Sequence, residues 1–119
     1  NAGADLIIGH GPHTIQKIEL IMDKPVIYSI GNGIFNSDGE FGHHEHAVPY
    51  GFIAQLIFSA QGDLTLNLKT IRTNNHLTKW IPDFAGENEF REVVRFLTEE
   101  GSDLSKFSLN DSILSTELK

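Results

Sequence analysis

The sequence has no cysteine, a single Met and a single Trp among its 119 residues, and no long apolar run. Without cysteine, disulfide scaffolds, Cys-ligated zinc, iron–sulfur clusters and thiol nucleophiles are excluded, while the redox compartment stays open. A membrane span needs roughly 20 consecutive apolar residues, so no transmembrane segment is expected, and the chain does not open on a signal-peptide pattern. Positive charge is also scarce: 9 Lys and Arg stand against 16 Asp and Glu, for a formal net charge of -7. The basic residues are scattered. Nucleic acids and anionic membrane surfaces are recognised through clustered positive charge, so neither is an expected partner. The glycines form neither a phosphate-binding loop nor a dinucleotide fingerprint, and there is no Gly-x-Ser-x-Gly nucleophile elbow.

What is present fits one domain with a modest core, 39% of the residues being hydrophobic. Asn1-Ala2-Gly3-Ala4-Asp5 has no initiator Met and runs almost at once into an apolar stretch, which suggests the end of a helix and loop from a longer protein. Asp5-Leu6-Ile7-Ile8-Gly9 reads as a short strand buried on both faces. The loop His10-Gly11-Pro12-His13 follows, and Thr14-Ile15-Gln16 could form one helical turn. Residues 17–22 and 25–30 read as a hairpin turning at Asp23-Lys24, with Ile18, Leu20 and Met22 on one face. Gly31-Asn32-Gly33 breaks its second strand, and Asn36 to Tyr50 lacks periodicity, as a long functional loop does.

Phe52–Phe58 and Leu64–Ile71 flank Ala60-Gln61-Gly62-Asp63, and the second run alternates Leu64, Leu66 and Leu68 inward with Thr65, Asn67 and Lys69 outward, the clearest hairpin of the chain. Phe90, Val93, Val94 and Leu97 recur at helical spacing, Glu87 and Arg91 can pair at i,i+4, and Gly101 is a natural stop. We therefore divide the chain into residues 1–101 and a tail of residues 102–119, loosely attached or forming a marginal second helix. Trp80, Phe84 and Phe107 are expected to anchor packing and His76 to lie at the surface.

Chemistry is concentrated in histidine, of which there are six. Imidazole is the commonest metal ligand and is readily tuned for acid–base work near neutral pH. His10 and His13 share one loop at a strand's C-terminal end, where two imidazoles can converge without competing core packing. The plain alternative is a pair of exposed turn histidines. A metal needs three or four protein ligands, and His43, His44 and His46 in the 36–50 loop could complete the set or merely form a solvated polar stretch. Asn32, between two glycines, could present its amide or neighbouring N–H groups to a phosphate, or simply form a turn.

Two segments, Gly3-Ala4-Asp5-Leu6-Ile7-Ile8-Gly9-His10-Gly11-Pro12-His13 and Lys24-Pro25-Val26-Ile27-Tyr28-Ser29-Ile30-Gly31-Asn32-Gly33-Ile34-Phe35, together resemble the C-terminal part of the CapA-like bacterial capsule synthesis family, associated with poly-γ-glutamate capsule. That family's domain looks like the calcineurin-like metallophosphoesterase fold. The resemblance covers roughly residues 1 to 72. It implies an α/β (α+β) layered sandwich, of which this chain is the later half, built of β-hairpins and one amphipathic helix. It also implies that His10 and His13 are the histidines of the last metal motif of a binuclear site holding divalent ions such as Mn, Fe or Zn. Asn32 would then be a supporting or phosphate-positioning residue and not a ligand. Gly33 stands where the family has Phe, and Asn36 where it often has Asp.

The Asp-x-His, Gly-Asp and Asn-His motifs and a further His that such a site needs do not occur here in order, so this chain alone is expected to be inactive. Its implied partners are the remainder of its own full-length chain and other capsule synthesis components, and the implied location is the bacterial cell envelope or beyond the cytoplasm. The alternatives to a fragment of a metal-dependent hydrolase are a non-catalytic binding or assembly module of the capsule machinery, or a mononuclear metal binder using His10, His13 and the His43–His46 cluster.

Overall fold

A computed structural model describes residues 3–35 and 45–118. It is a mixed α/β structure with two sheets. β1 (Ile7–Ile8), β2 (Ile18–Ile21) and β3 (Lys24–Ile27) form the first, in the order β1-β3-β2, with β1 parallel and β2 antiparallel to β3. The second is built from β4 (Tyr50–Phe58), β5 (Leu64–Arg72), β8 (Ile113–Leu118) and β7 (Ser108–Asn110) in that order, and β6 (Asp83–Phe84) pairs with β5 beside this path. Among the described residues two helices complete it: the single turn α1 (Asn75–Thr78) and the longer α2 (Glu87–Glu99). The expected α+β class, with its hairpins and amphipathic helix, is the one observed.

Local chemistry explains most of these elements. The β2–β3 turn is made by Met22 and Asp23, with φ values of 49° and 67°. Two successive left-handed residues give a turn whose twist matches that of the flanking strands. The turn is thus one residue earlier than expected, and Met22 projects into solvent instead of joining Ile18 and Leu20. The β4–β5 hairpin pairs from Tyr50↔Arg72 to Phe58↔Leu64, and Leu66 and Leu68 are fully buried, as their alternation requires. In α2, Phe90, Val93 and Leu97 face the core. Glu89 reaches back to accept the Gly86 N–H at 2.8 Å, supplying the first turn with a capping partner. At the other end Gly101 takes φ 80°, its N–H donates to Thr98 and the Ser102 N–H donates to Leu97, which closes the helix.

Four further expectations are corrected. Among the described residues β1 pairs with β3 alone, and it is not buried on both faces, since Ile7 is 50% exposed. Thr14-Ile15-Gln16 is extended and not helical: Ile15 bridges to Ile30, and the Gln16 N–H donates to the Ser29 carbonyl at 3.1 Å. Full burial of Ile15 against the sheet rewards that extended path. Residues 108–118 are neither a loose tail nor a helix. β7 and β8 turn through Asp111 and Ser112, both left-handed, and β8 lies inside the sheet, paired with β5 from Leu64↔Leu118 to Lys69↔Ile113. Finally, Phe107 is a packing anchor but Trp80 and Phe84 are exposed.

One core serves both sheets. Ile15, Ile18 and Ile27 from the first meet Phe52, Leu66, Leu68 and Leu114 from the second and Phe90, Val93 and Leu97 from α2. Polar stitching adds to this contact where α2 ends: the Ile18 N–H donates to Ser102 Oγ (2.9 Å) and the Asp103 N–H to the Ile18 carbonyl (2.8 Å).

Candidate metal centre

The loop that follows β1 is held from below by backbone. Gly9 donates to the Ile27 carbonyl (2.8 Å) and accepts from the Ile30 N–H (3.0 Å). Gly9 lies so close to Tyr28 that a Cβ added there would be 2.3 Å from the Tyr28 carbonyl oxygen. The chain is thereby locked to the end of β3, and His10-Gly11-Pro12-His13 leaves the sheet edge beside Gly31-Asn32-Gly33. His10 is exposed. His13 is half-buried and has φ 62°, a left-handed conformation that an isolated non-glycine residue adopts only when its surroundings hold it there.

Two contacts are part of those surroundings. His13 Nδ1 lies 2.9 Å from Asn32 Oδ1, and its ring packs on Phe35 with centroids 4.9 Å apart. With the amide oriented so that Oδ1 accepts, His13 carries its proton on Nδ1 and, when neutral, its lone pair on Nε2. Metal-binding histidines are typically oriented in this way by an acceptor on the other nitrogen. Asn32 is buried, and its Nδ2 has no hydrogen-bond partner among the described residues. A buried amide N–H that is left unpaired is costly.

Asn32 is immobilised by its own backbone. Gly51, at the start of β4, approaches so closely that a Cβ there would sit 2.1 Å from the Asn32 carbonyl oxygen. Next to it, the Phe52 N–H donates to the Ile30 carbonyl at 2.8 Å. Gly31 takes φ 72° with Tyr50 and Ile15 backbone atoms around it. Phe35 is fixed in turn, since Asn75 Nδ2 donates to its carbonyl at 2.7 Å. Sequence reasoning missed Gly51, Phe35 and Asn75 as supports of the loop. The available signal was Gly51 within a strand, a position that often marks a close backbone approach.

The remaining expected residues are not brought to this point. His46 is exposed in a turn with Glu45, His76 is exposed in α1, and His43 and His44 lie outside the described residues. Among the described residues no group of three or more His, Cys, Asp or Glu side chains is arranged to hold a metal. The donor set on this loop is two imidazoles, one with its tautomer fixed. It fits part of the coordination sphere of a first-row divalent ion and falls short of a complete one.

A second polar cluster lies where β5 meets α2. Arg72 grips Glu89 with Nε to Oε1 at 2.8 Å and Nη2 to Oε2 at 2.9 Å, and reaches Asp83 at 2.5 Å. The Arg72 hydrogen bonds hold the Glu89 carboxyl below its usual range. Tyr50 donates to Glu92 Oε2 at 2.8 Å, and burial followed by that bond raises its phenol. These groups satisfy one another and tie α2 to the second sheet.

Comparison with known proteins bears on the first loop. Residues 1–37 match the family model described as bacterial capsule synthesis protein PGA_cap. An uncharacterized protein of Sinorhizobium fredii is 44% identical over 36 residues, which are 30% of this chain and 8% of that protein. The PGA biosynthesis protein CapA of Bacillus subtilis is 44% identical over 36 residues, 30% of this chain and 10% of its own length. The capsule biosynthesis protein CapA of Bacillus anthracis is 42% identical over 36 residues, 9% of its length. The matched stretch is thus a small part of these much longer relatives. It contains His10 and the three residues that meet at the loop, His13, Asn32 and Phe35. Over residues 1–37 the chain is thus similar to bacterial capsule synthesis proteins of the PGA_cap family, CapA among them.

Proposed function

We propose that this chain is the later part of a poly-γ-glutamate capsule biosynthesis protein of metallophosphoesterase type, and that its His10–His13 loop contributes ligands to a divalent metal centre whose other ligands come from elsewhere in the full-length protein. The observation that carries this reading is the Asn32 acceptor on His13 Nδ1, which directs the His13 lone pair to Nε2, within a segment shared with capsule biosynthesis proteins. Divalent ions such as Mn, Fe or Zn bound there would supply Lewis-acid activation of water and charge neutralisation at a phosphoester or related electrophile.

The chain's own residues have narrower tasks. His10 and His13 offer neutral nitrogens. Asn32 sets the His13 tautomer and directs its remaining amide hydrogens into a buried space, Phe35 limits rotation of the ring, and Gly51 allows Asn32 to approach the sheet. Because few Lys and Arg are present against the net charge of -7, an anionic substrate would be met by bound cations and not by a basic surface.

The test is metal content of the full-length protein against the His10→Ala/His13→Ala double variant, with hydrolysis of a chromogenic phosphodiester as a second readout. Loss of bound metal and turnover in the variant supports the centre. Unchanged metal content removes it. A full-length wild-type protein that holds no metal and turns over no ester favours the other reading of the same segment, a non-catalytic binding or assembly module of the capsule machinery.

A further inference from the structure

β4 is the outer strand of the five-stranded sheet, and the direction of its free backbone groups follows from the bonds at its ends. The Thr73 N–H donates to the Pro49 carbonyl and the Ser59 N–H to the Asp63 carbonyl, so the odd-numbered positions of β4 face β5. Phe52 faces away, its N–H donating to the Ile30 carbonyl at 2.8 Å. In an antiparallel pair this alternation continues along the strand. The N–H and C=O groups of Ala54, Leu56 and Phe58 therefore point off the sheet, and among the described residues β5 is the only strand paired with β4.

Side chains reinforce the point. Tyr50 and Phe52 are buried, but Ile53 is 43%, Leu56 41%, Ile57 46% and Phe58 72% exposed. The strand Tyr50-Gly51-Phe52-Ile53-Ala54-Gln55-Leu56-Ile57-Phe58 has no charged residue and no proline, in a chain of which 21% is charged. Edges that remain in solvent usually carry Lys, Pro, bulges or inward charge to prevent pairing. This one has none of these devices.

Resting on the reading that the chain is part of a longer protein, we propose that the β4 edge over Ala54–Phe58 is the docking site for an apolar strand contributed by the remainder of the same polypeptide. Three observations select that occupant. The relatives are much longer than the matched segment, which is 8–10% of their lengths, so chain is available to supply the strand. The slot is continuous with a contact inside the molecule, because it starts one residue pair beyond the Ile30–Phe52 bond. The edge is uncharged, so a partner held by it must pair through backbone and apolar side chains, as strands within one sheet do.

The test is residue-resolved amide hydrogen exchange on the intact, full-length gene product, with β4 as its own control. The amides of Ile53, Gln55 and Ile57 are bonded to β5 and exchange slowly. With a docked strand, those of Ala54, Leu56 and Phe58 exchange within about tenfold of them, and with a bare edge they exchange at least about a hundredfold faster, which overturns the proposal. Protection that disappears on dilution to a monomer assigns the edge to a second copy and also overturns it. An intact product that ends at 119 residues removes both this inference and the reading beneath it, whereas a longer product with fast edge amides removes this inference alone. The metal content of the His10→Ala/His13→Ala variant is independent of either result.

Discussion

His13 Nδ1 and Asn32 Oδ1 meet at 2.9 Å across 19 residues of sequence, and this bond joins the loop after β1 to the loop after β3. Neither residue could hold the other unless both loops were anchored. The anchors are backbone contacts: Gly9 on Tyr28 and Gly51 on Asn32, each too close for a side chain. Orientation of the imidazole is therefore a property of the sheet ends and not of the loop itself.

The first prediction follows from that bond. Replacing Asn32 by Leu keeps the volume roughly constant and removes the acceptor on Nδ1. Losing the partner that orients a metal-binding histidine typically costs 10–100-fold in metal affinity. The full-length Asn32→Leu protein is expected to bind metal more weakly by about that factor while remaining folded, measured by competition with a chelator and by circular dichroism. Equal affinity in the two proteins would show that Asn32 does not orient a ligand.

Gly51 gives a sharper structural test. In Gly51→Ala the new Cβ would lie 2.1 Å from the Asn32 carbonyl oxygen, and this neighbour is backbone that cannot rotate away. Forced overpacking costs about 1–3 kcal/mol, so the urea midpoint is expected to fall accordingly. Gly33→Ala is the control: nothing lies within 4 Å of its Cβ position, and its stability should stay within about 0.5 kcal/mol of the parent.

The hairpins and α2 were legible in the sequence because period-2 alternation at Leu64, Leu66 and Leu68 and helical spacing at Phe90, Val93 and Leu97 are local signals. Residues 108–118 were not, because Ile113, Leu114 and Leu118 are too few for a clear period and their strand is defined by a partner more than 40 positions away, as in the pair Leu68↔Leu114. Ile15 misled for a related reason: Gly and Pro beside it suggest a turn, while its burial and its bridge to Ile30 are tertiary. The site divides in the same way. His10, His13 and Asn32 could be named from their motifs, whereas the supports at Phe35, Gly51 and Asn75 depend on which backbones touch.

The β7–β8 hairpin leads to the third prediction. Leu114 is fully buried between β5 and β7, pairing with Leu68 and Leu109. A loosely attached tail would tolerate Leu114→Ala with little change. A strand inside the sheet would not, and a buried Leu→Ala replacement costs about 2–5 kcal/mol. Chemical denaturation of the variant decides between them, and a shift below about 0.5 kcal/mol would be the behaviour of a surface position.

Glu89 supplies the last prediction, and its sign can be worked out. Its carboxyl is held below the usual range, first by the Arg72 hydrogen bonds and also by the Gly86 N–H. The unfolded chain therefore takes up the proton at a higher pH than the folded one, and stability falls as pH falls. The contribution is complete above the ordinary Glu value of about 4.3 and is lost progressively as pH drops through the lowered folded value. Part of the cluster is solvated, since Arg72 and Glu89 side chains are 37% and 28% exposed, which limits the effect to about 1 kcal/mol at neutral pH. Glu89→Gln should accordingly destabilise the protein by about that amount at pH 7 and flatten the fall in stability between about pH 5 and pH 3. Equilibrium unfolding of both proteins across that range, at low and high salt, checks it: parallel pH profiles would show that Arg72 and Glu89 do not contribute as a coupled pair.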